Sequence, residues 1–175
     1  MAKILIVYST TDGHTRKICF HLQQVIENQS NQVTVVSVDD AGAIDLDSFD
    51  KIVIGASIRY GKHSPAIYEF IKDNSRILDS KSNAFFSVNV VARKPEKNTP
   101  ETNPYLKKFL KQIAWKPKTL AVFAGKIDYK KYKFRDRFMI RLIMWMTKGP
   151  TDPETNIEFT NWNQVEEFGQ VIGEM

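Results

Sequence analysis

The chain opens on Lys3-Ile-Leu-Ile-Val-Tyr8, a continuous apolar run without polar alternation. A run of this kind suits a strand covered on both faces, as in a parallel sheet. After a polar turn the period changes. Ile18, Leu22, Val25 and Ile26 recur at helical spacing and predict a helix from about Thr15 to Asn28. Strand two is predicted over Gln32 to Val38 and strand three over Lys51 to Ala56. Ser64-Pro65 reads as an N-cap followed by proline at the first helical position, opening a helix to about Leu78. Strand four follows over Asn83 to Val90, a helix over about Asn103 to Ala114, and strand five over Thr119 to Gly125. A last helix opens near Asn161, with Gln164 three residues on as the partner of a capping box.

Strands alternating with helices predict an α/β class fold, a doubly wound five-stranded parallel sheet in a single domain of residues 1–175. So short a chain suits the strand order 2-1-3-4-5. The topological switch then lies between strands one and three, and a ligand is expected beyond their carboxyl ends. Two segments exceed a minimal domain of this type. One is the polar, basic stretch Val91 to Thr102. The other is an insertion of about residues 126–156 between strand five and the last helix. Long loops in compact domains are usually functional or disordered.

Composition narrows the classes. At 42% hydrophobic and 26% charged residues the chain is ordinary for a globular protein. Its single cysteine, Cys19, excludes an internal disulfide, and no secretory signal precedes the first strand. Both features predict a reducing compartment. No apolar run reaches the roughly 18–20 residues a spanning helix needs, so a soluble or peripheral protein is expected. Charge is unevenly spread: residues 91–148 hold 16 Lys/Arg against 4 Asp/Glu, and the remainder 9 against 16. A strongly basic region on an acidic scaffold suits anionic lipid, an acidic substrate or nucleic acid.

The candidate chemistry sits in the loops. Ser9-Thr10-Thr11-Asp12-Gly13-His14-Thr15 is rich in hydroxyls and opens a helix. Helix N-terminal amides with hydroxyl donors form a phosphate cradle; the same residues also suit an ordinary capped turn. Neither the Walker ending nor G-x-G-x-x-G is present, so a compact mononucleotide phosphate fits better than a dinucleotide. In Gly55-Ala-Ser-Ile-Arg-Tyr-Gly-Lys-His63 the two glycines would let the backbone approach a flat ligand. Tyr60 would cover a ring face, Arg59 would favour developing negative charge, and His63 is a candidate proton carrier. Strand four ends in Ser87-Val-Asn-Val-Val-Ala-Arg-Lys-Pro-Glu-Lys97. Its backbone and Asn89 suit completion of the pocket. Arg93, Lys94 and Lys97 suit either an acidic substrate or plain solvent. The three histidines have no metal-ligand spacing. In the insertion, basic-aromatic Tyr129 to Arg137 precedes the almost wholly apolar Phe138 to Met146. Residues 129–148 suit contact with an anionic membrane surface or a hydrophobic ligand, or packing on the body of the domain or on a second copy. Homo-oligomerisation therefore stays open. Nucleic acid is disfavoured, because the apolar run has no base-reading role.

Together Ser9 to Thr15, Gly55 to Gly61, Ser87 to Lys97, Asp136-Arg-Phe-Met-Ile140 and Leu142-Ile-Met144 resemble the bacterial flavodoxin-like, quinone-dependent protoporphyrinogen IX oxidase (dehydrogenase) family. The likeness covers nearly the whole chain, departing at Thr11 and His14, where the family pattern has Arg and Gln. It implies flavin mononucleotide (FMN) as cofactor, protoporphyrinogen IX as electron donor and menaquinone or ubiquinone as acceptor, in heme biosynthesis. It also implies a cytoplasmic protein peripheral on the cytoplasmic face of the inner membrane. On this reading Ser9, Thr10, Thr11, Asp12, Gly13, His14 and Thr15 form the phosphate loop. Ser57, Ile58, Arg59, Tyr60 and Gly61 frame the isoalloxazine with Asn89, Val90, Val91 and Ala92, and Arg93, Lys94 and Lys97 steer propionates. The rival readings are a non-enzymatic flavodoxin carrier, an NAD(P)H-dependent quinone reductase and a flavin-free phosphate-binding module. The basic insertion argues against the first, since such carriers are usually strongly acidic.

Overall fold

The computed structural model describes residues 1–175. The opening apolar run is strand β1 (Lys3–Ser9), followed by helix α1 (His14–Glu27), β2 (Gln32–Ser37) and β3 (Lys51–Arg59). A two-residue strand β4 (Lys62–His63) precedes α2 (Pro65–Ser80), and β5 (Ser82–Asn89) leads through two 3-10 turns to α3 (Pro104–Gln112). Next come β6 (Thr119–Ala124), the insertion with β7 (Lys126–Asp128), α4 (Phe134–Met146) and β8 (Asn156–Glu158), and last α5 (Trp162–Glu174). The parallel strands lie in the order β2-β1-β3-β5-β6. Counting only these five, that is the expected 2-1-3-4-5. In the insertion β7 and β8 form a separate antiparallel ribbon.

The central strands are apolar throughout because both faces are covered. Side chains alternate along a strand, so β1 sends Leu5 and Val7 to one core and Ile4, Ile6 and Tyr8 to the other. The first core meets α2 and α3 through Ile67, Ile71, Leu106 and Phe109. The second meets α1 and α5 through Ile18, Leu22, Val165 and Phe168. A third, small cluster of Ile127, Tyr129, Tyr132 and Met144 holds the insertion together. Cys19 is buried in the second core, where loss of solvation pushes its thiol pKa up, consistent with a packing role.

Three local expectations change. The third strand does not stop at Ala56. It runs to Arg59 because Ile58 and Arg59 pair with His63 and Lys62 across a two-residue turn. Tyr60 and Gly61 both have positive φ, 52° and 74°, the geometry that suits a tight hairpin. Ser64 stands at the N-cap of α2 but its hydroxyl makes no capping bond, leaving Pro65 as the start signal. Gly55 was expected to admit a ligand. Its space is instead filled by Phe86, which pairs with it across β3 and β5: a Cβ on Gly55 would lie 2.1 Å from the Phe86 ring. Asn161 does cap α5, its side chain accepting from the amides of Asn163 and Gln164.

Lys51, largely buried, donates from Nζ to the carbonyls of Ile172 and Gly173. It thereby ties the start of β3 to the carboxyl end of α5, where a cation also complements the helix dipole.

Gly55→Ala tests the shared Gly55–Phe86 volume. Overpacking should lower stability by about 1–3 kcal/mol, read as a reduced urea midpoint. A second change, Phe86→Leu, in the same chain should recover part of that loss, and no recovery would show that the contact is not the cause.

Candidate functional site

At the carboxyl ends of β1, β3 and β5 a cleft is lined by Thr10, Thr11, Asp12, His14 and Thr15, by Ser57 through Gly61, and by Asn89 through Val91. The three loops singled out in the sequence therefore meet in one place. The first loop is folded on itself, Thr10 Oγ1 accepting from the Gly13 amide at 2.9 Å. Gly13 occupies the N-cap of α1 with φ 88°, and no side chain caps the helix. The first-turn amides of α1 thus stay available to an anion. Thr15 is 1% exposed and its hydroxyl is without a partner in the chain, which is uncommon for a buried polar group. A phosphate at this helix end would satisfy it. Ser9, also buried with an unpartnered hydroxyl, lies in a neighbouring polar hollow rather than in the cleft itself.

His14 is pinned at the cleft edge. Thr160 donates its hydroxyl proton to the Ala124 carbonyl at 2.7 Å and so accepts from His14 Nε2 at 2.6 Å. The neutral ring therefore carries its proton on Nε2. Burial lowers the His14 pKa, opposed by the nearby Glu158 carboxylate. Arg59 forms an ion pair with Asp12, joining the loop after β3 to the loop after β1. Its guanidinium also sits 5.1 Å from the centroid of the Tyr132 ring, within cation–π range.

Other predicted residues stand differently from expectation. Gly13 and Ala92 do not line the cleft. The Asn89 side chain holds its own loop: Oδ1 accepts from the Ala92 amide and from Asn103, while Nδ2 donates to Ser87. What Asn89 offers the cleft is mainly backbone. Arg93, Lys94 and Lys97 are also absent from the lining. Arg93 turns to the insertion, donating to the Val90 carbonyl at 3.1 Å and to the carbonyl and hydroxyl of Thr147 at 3.2 and 3.3 Å. Thr147 is the C-cap of α4, so Arg93 caps that helix. His63 is 3% exposed, hydrogen-bonded to Ser87 at 2.8 Å and packed against Phe85 and Phe109. Burial lowers its pKa to about 3, so it is uncharged at neutral pH.

The insertion, expected to meet a membrane surface or a hydrophobic ligand, supplies a cleft wall whose individual residues the sequence did not single out. Lys126, Asp128, Lys131 and Tyr132 line the cleft with Ile140, Ile143 and Met144 of α4, and Tyr105 adds to the lining from α3. The signal was present in the helical period. Ile140, Ile143 and Met144 share one face, whereas Phe134, Phe138, Leu142 and Trp145 recur on another and stay exposed, Phe134 at 83% and Trp145 at 72%. Read as a single apolar block, the segment concealed these two faces.

A flavodoxin domain model matches residues 5–154. The chain belongs to the flavodoxin family. Two relatives extend the likeness to the whole chain. The Escherichia coli K12 protein named protoporphyrinogen IX dehydrogenase (quinone) is 44% identical over 173 residues, covering 99% of this chain and 96% of its own. A Leishmania major protein of the same name is 42% identical over 167 residues, covering 95% and 72%. Among solved structures, two-electron reduced Megasphaera elsdenii flavodoxin superposes with a TM-score of 0.57 at 15% identity, covering 98% of this chain and 99% of that one. An archaeal flavodoxin gives 0.54 at 16%, covering 98% and 96%. These two establish the fold. FMN fits this flavodoxin cleft on the chain's own evidence: an uncapped helix start, an unpartnered buried threonine hydroxyl beside it, and two loops spaced to frame a ring.

The buried neutral His63 makes stability depend on pH. Its folded pKa lies below the ordinary 6.5, so between about pH 6.5 and 3 the unfolded chain binds the extra proton. The contribution is complete above 6.5 and is lost as pH falls through that window. From pH 7 to pH 5 this amounts to roughly 2 kcal/mol. Urea unfolding of wild type and His63→Gln at both pH values should show the variant losing less stability on acidification. Equal losses would mean that His63 titrates normally in the fold.

Proposed function

We propose that this chain is an FMN-dependent dehydrogenase that oxidises protoporphyrinogen IX to protoporphyrin IX and delivers the electrons to a membrane quinone, a step of heme biosynthesis. One observation carries the reading. The 44% identity to a protein of that name runs over 173 residues, so it takes in the insertion as well as the flavin-binding sheet. The cleft agrees, since α4 adds an apolar wall of Ile140, Ile143 and Met144 beside the ring loops, suited to a hydrophobic macrocycle and to a quinone. Fold likeness alone would not select a reaction.

Bound FMN supplies the hydride and electron transfer. The chain binds and orients. The α1 amides with Thr10, Thr11 and Thr15 hold the phosphate. Ser57 through Gly61 and the backbone of Asn89 through Val91 border the ring. Asp12, neutralising Arg59, keeps the ring loop against the phosphate loop. His14, fixed by Thr160, closes the cleft edge. The whole of residues 1–175 acts as one unit.

No helix of the chain is long and apolar enough to cross a membrane. At 1.5 Å per residue the thirteen residues of α4 extend only about 20 Å. Its exposed stripe of Phe134, Phe138, Leu142 and Trp145 is flanked by Lys133, Arg135 and Arg141. This is the composition of an interfacial helix on anionic lipid. We place the chain peripherally on the cytoplasmic face of the inner membrane, with α4 as its contact.

Anaerobic addition of protoporphyrinogen IX to the FMN-loaded protein should bleach the flavin's visible band and produce porphyrin fluorescence, and added quinone should restore the band. A band left intact by porphyrinogen but bleached by NADPH would assign the chain to a different reductase. The membrane contact has its own test. Phe138→Ser with Trp145→Ser should weaken flotation with phosphatidylglycerol-containing vesicles roughly tenfold or more, with FMN retained. Undiminished flotation would exclude the stripe.

A further inference from the structure

The cleft wall contributed by the insertion carries two cations that form no ion pair within the chain. Lys126 and Lys131 both line the cleft, and neither takes part in any of the chain's four ion pairs. Several other cations of this region are engaged. Arg59 is paired with Asp12 and Lys130 with Glu154. Arg93 is held by Thr147, and Arg137 and Arg141 donate to the carbonyls of Tyr129 and Thr151. The carboxylates closest to being rivals are tied elsewhere: Asp12 to Arg59, and Glu158, opposite Lys126 on the ribbon, to Lys17 and the Trp162 indole, while Asp128 accepts the Lys130 amide at 3.2 Å. Lys126 is half-buried and within electrostatic reach of His14, whereas Lys131 is exposed at the mouth. Ile140, Ile143 and Met144 belong to the same wall. An apolar surface bordered by two unpaired ammonium groups is complementary to an amphiphile with a hydrophobic body and acidic arms.

We infer that Lys126 and Lys131 receive the carboxylates of the reducing substrate, in place of the Arg93, Lys94 and Lys97 set suggested by the sequence. This rests on the dehydrogenase reading above and names the residues that make that site select a dicarboxylic tetrapyrrole over a neutral one. The flexible lysine ammonium acts as a point charge, which suits propionate arms that rotate freely.

The test compares protoporphyrinogen IX with its dimethyl ester as electron donor to FMN-loaded protein. Wild type should favour the free acid in kcat/KM by about tenfold or more, the scale of a charge-assisted contact. Lys126→Met with Lys131→Met should abolish that preference, chiefly through the KM of the acid. Lys130→Met, which removes a neighbouring charge outside the cleft, should keep it. FMN and riboflavin affinities are measured in the same variants. A preference for the acid that survives in the double variant overturns the inference. So does a loss of FMN affinity relative to riboflavin with the acid-to-ester ratio intact, which would assign the lysines to the cofactor phosphate. Turnover of neither donor by the wild-type protein is a separate failure, removing the dehydrogenase reading and this inference together.

Discussion

β1 and β3 pair in register from Ile4 opposite Lys51 to Ser9 opposite Ala56, and the helices that follow them pack on opposite faces of the sheet. That divergence opens the crevice beyond Ser9 and Ala56. The rest of the site depends on it. It points the start of α1 at the crevice, carries the Ser57–Gly61 hairpin over one side, and brings the end of β5 up on the other. The apolar identity of both strands is therefore a functional constraint as well as a packing one: a polar residue in either would disturb the cores whose rigidity sets the loop positions.

Much of this was legible in the residue pattern. Five apolar runs, separated by helical periods, are enough to give the parallel order, because right-handed connections leave few alternatives for so short a chain. The place of the Thr10–Thr15 loop at the cleft was legible for a similar reason: its position at a strand-to-helix turn carries most of the information, and side-chain identity adds little. What the pattern concealed was contact between distant segments. Gly55 announced a close approach, but nothing local showed that the approaching group was Phe86 across the sheet. Arg93 looked like a pocket residue, and the Asn89 side chain looked free to meet a ligand, because both are polar and lie at a strand end. In the fold, Arg93 caps α4 and Asn89 stitches its loop to Asn103. A buried polar side chain seeks partners in the chain before it is available to a ligand.

The insertion shows the same limit from the other direction. Its apolar stretch was visible, but a run of apolar residues gives no phase. Only the folded helix separates the face that lines the cleft from the face that meets solvent. With both in view, the uneven charge of the chain acquires a location. Lys130, Arg137 and Arg141 are absorbed by carbonyls and a carboxylate of the insertion itself, and Lys126 and Lys131 stand at the cleft.

The end of α4 is locked to the scaffold. Lys148 adopts a left-handed backbone with φ 57°, and Gly149 closes the turn by donating to the Met144 carbonyl at 2.7 Å. A Cβ on Gly149 would lie 2.6 Å from Met144 Sδ and 2.8 Å from the Arg93 guanidinium. The junction is thus built around an arginine from the scaffold, and Met144 at its centre is also a cleft residue. Such an insertion is no longer a detachable module. Trimming it would leave Arg93 without its Thr147 acceptors and the flavin crevice without a wall.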